Sequence, residues 1–199
     1  MRLGIFGGTF DPPHIAHLVL AAEASYQLKL DQVLWVLTPA PPHKKGQQIT
    51  PLEKRLQLLQ IALGNNPAFA LSRVDIDRPS PHYAVDTMRL VAEQNPGAEL
   101  VYLMGGDSLR DLPTWHHPQD FVRTCKMIGV MHRPGAMARL DEVETHLPGV
   151  STKVRWIVLP LLEISSTDIR QRAVEHRPFR YFLPPAVYEK IFQDHLYGV

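Results

Sequence analysis

Short apolar runs alternate with longer amphipathic stretches along the chain. Residues 2–6 (RLGIF), 32–37 (QVLWVL), 69–74 (FALSRV), 99–104 (ELVYLM), 126–131 (KMIGVM) and 154–159 (VRWIVL) are rich in branched and aromatic residues. They are too short for ordinary helices and predict six strands. Between them, about 14–28, 51–64, 82–95, 118–124 and 138–146 carry helical patterning. Pro51 with Glu53, and Ser80 with Pro81, supply helix-start signals for the second and third of these. Past residue 164 the chain reads as mostly helical, ending in a helix at 184–195. Regular strand–helix alternation predicts an α/β fold, a doubly wound parallel sheet with helices on both faces and a small helical C-terminal part. Ligands of such sheets bind beyond the carboxyl ends of the strands, where the strand order reverses. The loops that follow strands therefore carry the candidate chemistry.

Composition narrows the picture. With 199 residues, 45% of them apolar, the chain can bury one sizeable core. A single domain over 1–199 is expected, with the sheet in about 1–163 and the helical part in about 164–199. Lysine plus arginine total 21 against 20 acids, a net charge of +1. A protein that coats nucleic acid or a membrane surface carries a clear basic excess, so neither partner is expected. Cys125 is the sole cysteine, which excludes an intrachain disulfide and a cysteine-based metal cluster and leaves a buried thiol. The opening MRLGIFGG has too short an apolar run for a signal peptide or membrane span. A cytoplasmic protein is expected, and a homo-oligomer is compatible with the sequence. The 38–50 loop (TPAPPHKKGQQIT) is long, proline-rich and basic, which suits a mobile flap.

The first strand runs into Gly7-Gly8-Thr9-Phe10-Asp11-Pro12-Pro13-His14-Ile15-Ala16-His17. Two glycines let the backbone approach a ligand closely, and the following helix aims free amides and partial positive charge at the same space. That suits phosphates. His14 and His17, three apart, face one way on a helix. Taken singly, the glycines make only a tight turn, and the histidines half a zinc site that lacks a third ligand. Together they are more specific, and GGTFDPPHIAH resembles the (T/G)xFDPxHxGH signature of the nucleotidyltransferase superfamily. Ala16 stands where that signature usually has glycine. Ile164-Ser165-Ser166-Thr167-Asp168-Ile169-Arg170 would alone be an ordinary helix start. It is similar to the superfamily's ISSTxIR motif, whose hydroxyls and arginine hold ATP phosphates.

Other segments point to one branch, the bacterial nicotinate mononucleotide adenylyltransferases, and so to a Rossmann-like sheet. Pro39-Ala40-Pro41-Pro42-His43-Lys44-Lys45 resembles that branch's PxxxPPHK segment, and Arg55 matches an arginine common on the helix that follows. Gly105-Gly106-Asp107-Ser108-Leu109 looks like its GxDSL motif at the adenosine. Leu112-Pro113-Thr114-Trp115-His116 resembles a segment whose tryptophan stacks on the pyridine ring, and His132-Arg133-Pro134-Gly135 matches its RPG. His82-Tyr83-Ala84-Val85-Asp86-Thr87 is similar to SYTxxTL, with His82 and Ala84 replacing Ser and Thr.

The resemblance implies transfer of the adenylyl group of ATP to nicotinate mononucleotide, with nicotinamide mononucleotide or a non-catalytic nucleotide sensor as alternatives. It implies catalytic roles for His14, His17, Lys44 and Arg170. ATP would be bound by Gly7, Gly8, Thr9, Phe10, Gly105, Asp107, Ile164, Ser165, Ser166 and Thr167. The mononucleotide would meet Asp11, His43, Arg55, Tyr83, Ala84, Thr87, Trp115 and Arg133. Magnesium is the expected cofactor, bound through the ATP phosphates, and no protein metal ligands are assigned.

Overall fold

All six expected strands form, because each apolar run is long enough to cross a sheet covered on both faces. In the computed structural model, which describes residues 1–41, 48–131, 140–160 and 162–199, they are β1 (Arg2–Gly8), β2 (Gln32–Leu37), β3 (Phe69–Ser72), β4 (Glu99–Gly105), β5 (Met127–Met131) and β6 (Val154–Ile157). They pair in parallel in the order β3-β2-β1-β4-β5-β6, the doubly wound arrangement with its reversal between β1 and β4.

Period-two alternation divides the core between the faces. Leu3 and Ile5 of β1, with Leu100, Tyr102 and Met104 of β4, pack on one side with Met88, Val91 and Phe121. Phe6, Val101 and Leu103 turn to the other side, where they meet Leu20, Ala24 and Leu59. The first side is covered by α3 (Ala84–Gln94) and α5 (Pro118–Thr124), the second by α1 (Ile15–Gln27) and α2 (Leu52–Leu63). A third apolar cluster joins Leu58 of α2 to Ile169 and Ala173 of α8 (Ser166–Val174) and to Val187 and Ile191 of α9 (Pro185–Gln193). Cys125 lies in the first cluster, where burial pushes its thiol up to about 12 and keeps it protonated. Among the described residues no helix is long and apolar enough to cross a membrane.

The differences from expectation have local causes. β3 stops at Ser72 because the chain turns: Asp77 N–H donates to Arg73 O, and the Arg73 guanidinium pairs with Asp77 at 2.7 Å. β6 stops at Ile157, since Gln27 of α1 takes both backbone groups of Val158, accepting its N–H and donating to its C=O. Two short helices were not expected: α4 (Gly106–Asp111) and α7 (Val150–Lys153), with α6 (Leu140–His146) between them in sequence. The glycine pair opening α4 reads as a turn, but Gly105 is an extended N-cap and Gly106 already helical.

Candidate active site

Beyond the carboxyl ends of β1, β2 and β4 lies a cleft of about 730 Å³, a size that suits a small-molecule ligand. Gly7, Gly8 and Thr9 form one wall and Gly105 another. A Cβ at Gly8 would sit 2.8 Å from the Phe10 ring, so glycine is needed for Phe10 to fold back. Phe10 itself is left-handed, at φ +46, a conformation non-glycine residues hold only under tertiary constraint. Its buried ring supplies that constraint, packing on Phe6 at 5.4 Å, Trp35 at 5.2 Å and His17 at 5.1 Å. Phe10 can therefore offer a ligand only its backbone.

One end of the cleft is aromatic. Trp115 lines it, held edge-on by Phe121 at 5.3 Å and Tyr102 at 6.1 Å. Opposite, at the start of α3, the Tyr83 ring stacks on His116 at 4.0 Å. Beneath them Asp75, 2% exposed, accepts from Thr87 Oγ1 at 2.7 Å and from the Arg78 guanidinium at 2.9 Å. That pair leaves the floor close to electrically neutral. Burial, with smaller contributions from Asp75 and Cys125, raises the Tyr102 phenol well above its usual range, so it stays a neutral donor.

Beside Phe6 and Phe10 stands the histidine pair. His14 is the N-cap of α1 and its N–H donates to His17 Nδ1 at 3.2 Å; the two rings stack at 3.6 Å. In neutral His17 an accepting Nδ1 leaves the proton on Nε2, which makes that atom a donor. The later motif joins the same loop: Ser166 Oγ donates to Pro12 O at 2.8 Å, and Arg170 Nη1 donates to Asp11 O at 2.7 Å. The positive N-terminal ends of α1 and α8 thus meet on one short segment.

Several candidates face elsewhere than expected. Arg55 is 2% exposed and spends its guanidinium on backbone carbonyls: Nε on Thr50, Nη1 on Thr9 and Thr38, Nη2 on Pro39. It clasps both roots of the 38–50 loop and does not line the cleft. Asp11 is buried, its carboxylate accepting from Tyr197 OH at 2.8 Å and Thr50 N–H at 3.2 Å. The Asp107 carboxylate is exposed and pairs with Arg110 at 3.0 Å, while Ser108 and Asp111 line the cleft in its place. Thr87 does line it, with its hydroxyl committed to Asp75. Ser165 caps α8 by accepting from Asp168 N–H, Thr167 Oγ1 faces Arg170 Nη2 at 3.5 Å, and Ile164 packs on the third cluster. His43, Lys44 and Arg133, with residues 42–47 of the flap, lie outside the described residues.

Residues 5–172 match the cytidylyltransferase-like family. The chain is 45% identical over 196 residues to the "Probable nicotinate-nucleotide adenylyltransferase" of Thermomicrobium roseum, covering 98% of this chain and 91% of that one. It is 38% identical to the same-named protein of Exiguobacterium sibiricum over the full length of both. The chain belongs to the nicotinate-nucleotide adenylyltransferase family. It is a nucleotidyltransferase, as the motifs imply. Its fold matches that of the Plasmodium falciparum nicotinic acid mononucleotide adenylyltransferase complexed with NaAD, with TM-score 0.79, 20% identity, and 98% and 97% of the two chains covered.

For this member of the nicotinate-nucleotide adenylyltransferase family, sequence reasoning missed Asp75, Ser108, Asp111 and His116 in the cleft, and Tyr197 behind the loop. Asp75 follows a strand, and the rule about strand-following loops was enough to flag it. Tyr197 carries no local signal.

Proposed function

We propose that this enzyme transfers the adenylyl group of ATP to nicotinate mononucleotide, giving nicotinate adenine dinucleotide and pyrophosphate. One observation carries the proposal: a cleft at the sheet's reversal point has an aromatic end around Trp115 and abuts a loop where two helix N-termini, two histidines and Arg170 converge. A flat cationic ring suits the first and a polyphosphate the second. The attacking mononucleotide phosphate is already anionic at neutral pH, so no general base is required. Catalysis then rests on alignment of the two phosphates and on donors for charge developing on the leaving pyrophosphate. His14, His17, Arg170 and the Thr9–Phe10 backbone take those roles, with Lys44 assigned from its motif. Gly105 and the start of α4 suit the adenosine. A magnesium ion would take its ligands mainly from the triphosphate and water and would there neutralise phosphate charge.

For the pyridine substituent, Ala84 removes a hydroxyl but keeps the amides of the α3 N-terminus, which favour a carboxylate. Asp75 would oppose one were it unpaired, and Arg78 with Thr87 removes that objection.

Pyrophosphate release from Mg-ATP, compared across nicotinate mononucleotide, nicotinamide mononucleotide and phosphopantetheine, tests the proposal. Turnover is expected to be fastest with the first. Preference for the second would move the specificity, and ATP binding with no turnover on any acceptor would make the chain a nucleotide sensor. Trp115→Ala is expected to raise KM for the mononucleotide about 10-fold, from the loss of roughly 1–2 kcal/mol of stacking, with KM for ATP little changed. Equal rises in both would remove Trp115 from the pyridine.

A further inference from the structure

Tyr197 stands 186 residues from Asp11 in sequence, yet its hydroxyl donates to Asp11 Oδ1 at 2.8 Å. The turn that delivers it, Leu196–Gly198, is unusual in its backbone: His195 is left-handed at φ +51 and Tyr197 at φ +59. Non-glycine residues hold such angles only where surrounding contacts impose them, and they cluster at functional sites. The ring already packs against the third apolar cluster, as do Leu196 and Val199. Packing thus explains the ring, while the hydroxyl has Asp11 as its hydrogen-bond acceptor.

Asp11 is the centre of a small junction. It is 3% exposed, and its second carboxylate oxygen accepts from Thr50 N–H at the root of the 38–50 loop. Its carbonyl accepts from Arg170, and the next carbonyl, Pro12 O, accepts from Ser166. Two residues on is His14. Three separate segments (the Leu196–Gly198 turn, the root of the 38–50 loop and α8) therefore fix one short stretch, and among the described residues Tyr197 is one of two hydrogen-bond donors to its buried carboxylate. Burial first, and the Asp11 carboxylate next, hold the Tyr197 phenol far above its ordinary range, so it remains a donor throughout the working pH range.

Given adenylyl transfer, we infer that Tyr197 is a positioning residue for that reaction: acting through Asp11, it fixes the segment on which His14 and His17 stand. Losing the hydroxyl leaves a buried carboxylate oxygen without its donor. The segment then samples other orientations, and displacement of catalytic groups by about 1 Å costs on the order of 10²-fold in rate. The pyridine end, built on Trp115 and α3, does not lean on this junction.

The test is Tyr197→Phe in the full chain, assayed with ATP and nicotinate mononucleotide after wild-type turnover has been established. The expected result is a fall in kcat of roughly 10- to 100-fold. KM for the mononucleotide should move less than about threefold, and the melting temperature should stay within a few degrees. Tyr197→Phe combined with Asp11→Ala should be no slower than Asp11→Ala alone, because both remove one interaction. An unchanged kcat in Tyr197→Phe, a loss that only tracks the folded fraction, or full additivity in the pair would overturn the inference. If Asp11→Ala does not fold, the split between kcat and KM in Tyr197→Phe decides by itself.

Discussion

Replacing Arg55 with alanine is expected to lower the unfolding free energy by about 3–5 kcal/mol, the range for removing one member of a buried charged network. Four donors of its guanidinium reach carbonyls of Thr9, Thr38, Pro39 and Thr50 at 2.8–3.1 Å. Alanine leaves those carbonyls without the donor and Asp11 without its nearby cation. Burial lowers the Arg55 pKa and Asp11 raises it, with burial the larger. The cation is thus held against its own desolvation by the carbonyl fork. Lysine is not equivalent, because a single ammonium cannot serve four diverging acceptors, so Arg55→Lys should lose much of the same stability. Urea titration and thermal melting read the effect directly, with a fall in Tm on the order of 10 °C for a chain of this size. An unchanged Tm with a raised KM for the mononucleotide would instead place the guanidinium on the mononucleotide, which the resemblance assigns it to bind.

That contrast shows what was legible in the sequence. Strands of a parallel sheet are buried on both faces, so each is a continuous apolar run, and residues such as Ile5, Trp35 and Val101 announce themselves. Doubly wound topology then places the site, and the loops after β1 and β4 do line the cleft. Motifs name residues but not the direction a side chain faces. Arg55 and Asp11 fit a ligand list equally well whether they meet substrate or backbone, and here their polar atoms are spent on Thr9, Thr38, Pro39, Thr50 and Tyr197. Asp107 shows the converse: α4 begins at Gly106, and the Asp107 carboxylate pairs with exposed Arg110 while Ser108 and Asp111 line the cleft. Tyr197 was hidden for another reason, since no periodicity links positions 11 and 197.

His17→Ala is expected to lower kcat by about 10²–10³-fold, the usual cost of removing one preorganised donor to developing charge. The geometry gives the donor its identity. His14 N–H donates to His17 Nδ1 at 3.2 Å, so neutral His17 carries its proton on Nε2. Phe10 and Phe6, at 5.1 and 5.9 Å, and the stacked His14 ring at 3.6 Å fix the imidazole plane before substrate arrives. No reorganisation is then needed at the moment of transfer. Alanine also removes the acceptor that His17, the third helical residue, offers the N-cap N–H of His14, worth about 0.5–1.5 kcal/mol, and the two effects must be separated. His17→Gln does so. Glutamine at the third helical position accepts from the N-cap N–H much as His17 does, so α1 should stay capped and Tm near that of the parent. The imidazole Nε2 donor is nevertheless gone, and kcat should remain depressed with KM for the mononucleotide little altered. Steady-state kinetics and melting curves for both variants provide the check. A glutamine variant as fast as the parent would reduce His17 to an acceptor for the N-cap N–H and leave the leaving-group charge to Arg170 and the backbone amides.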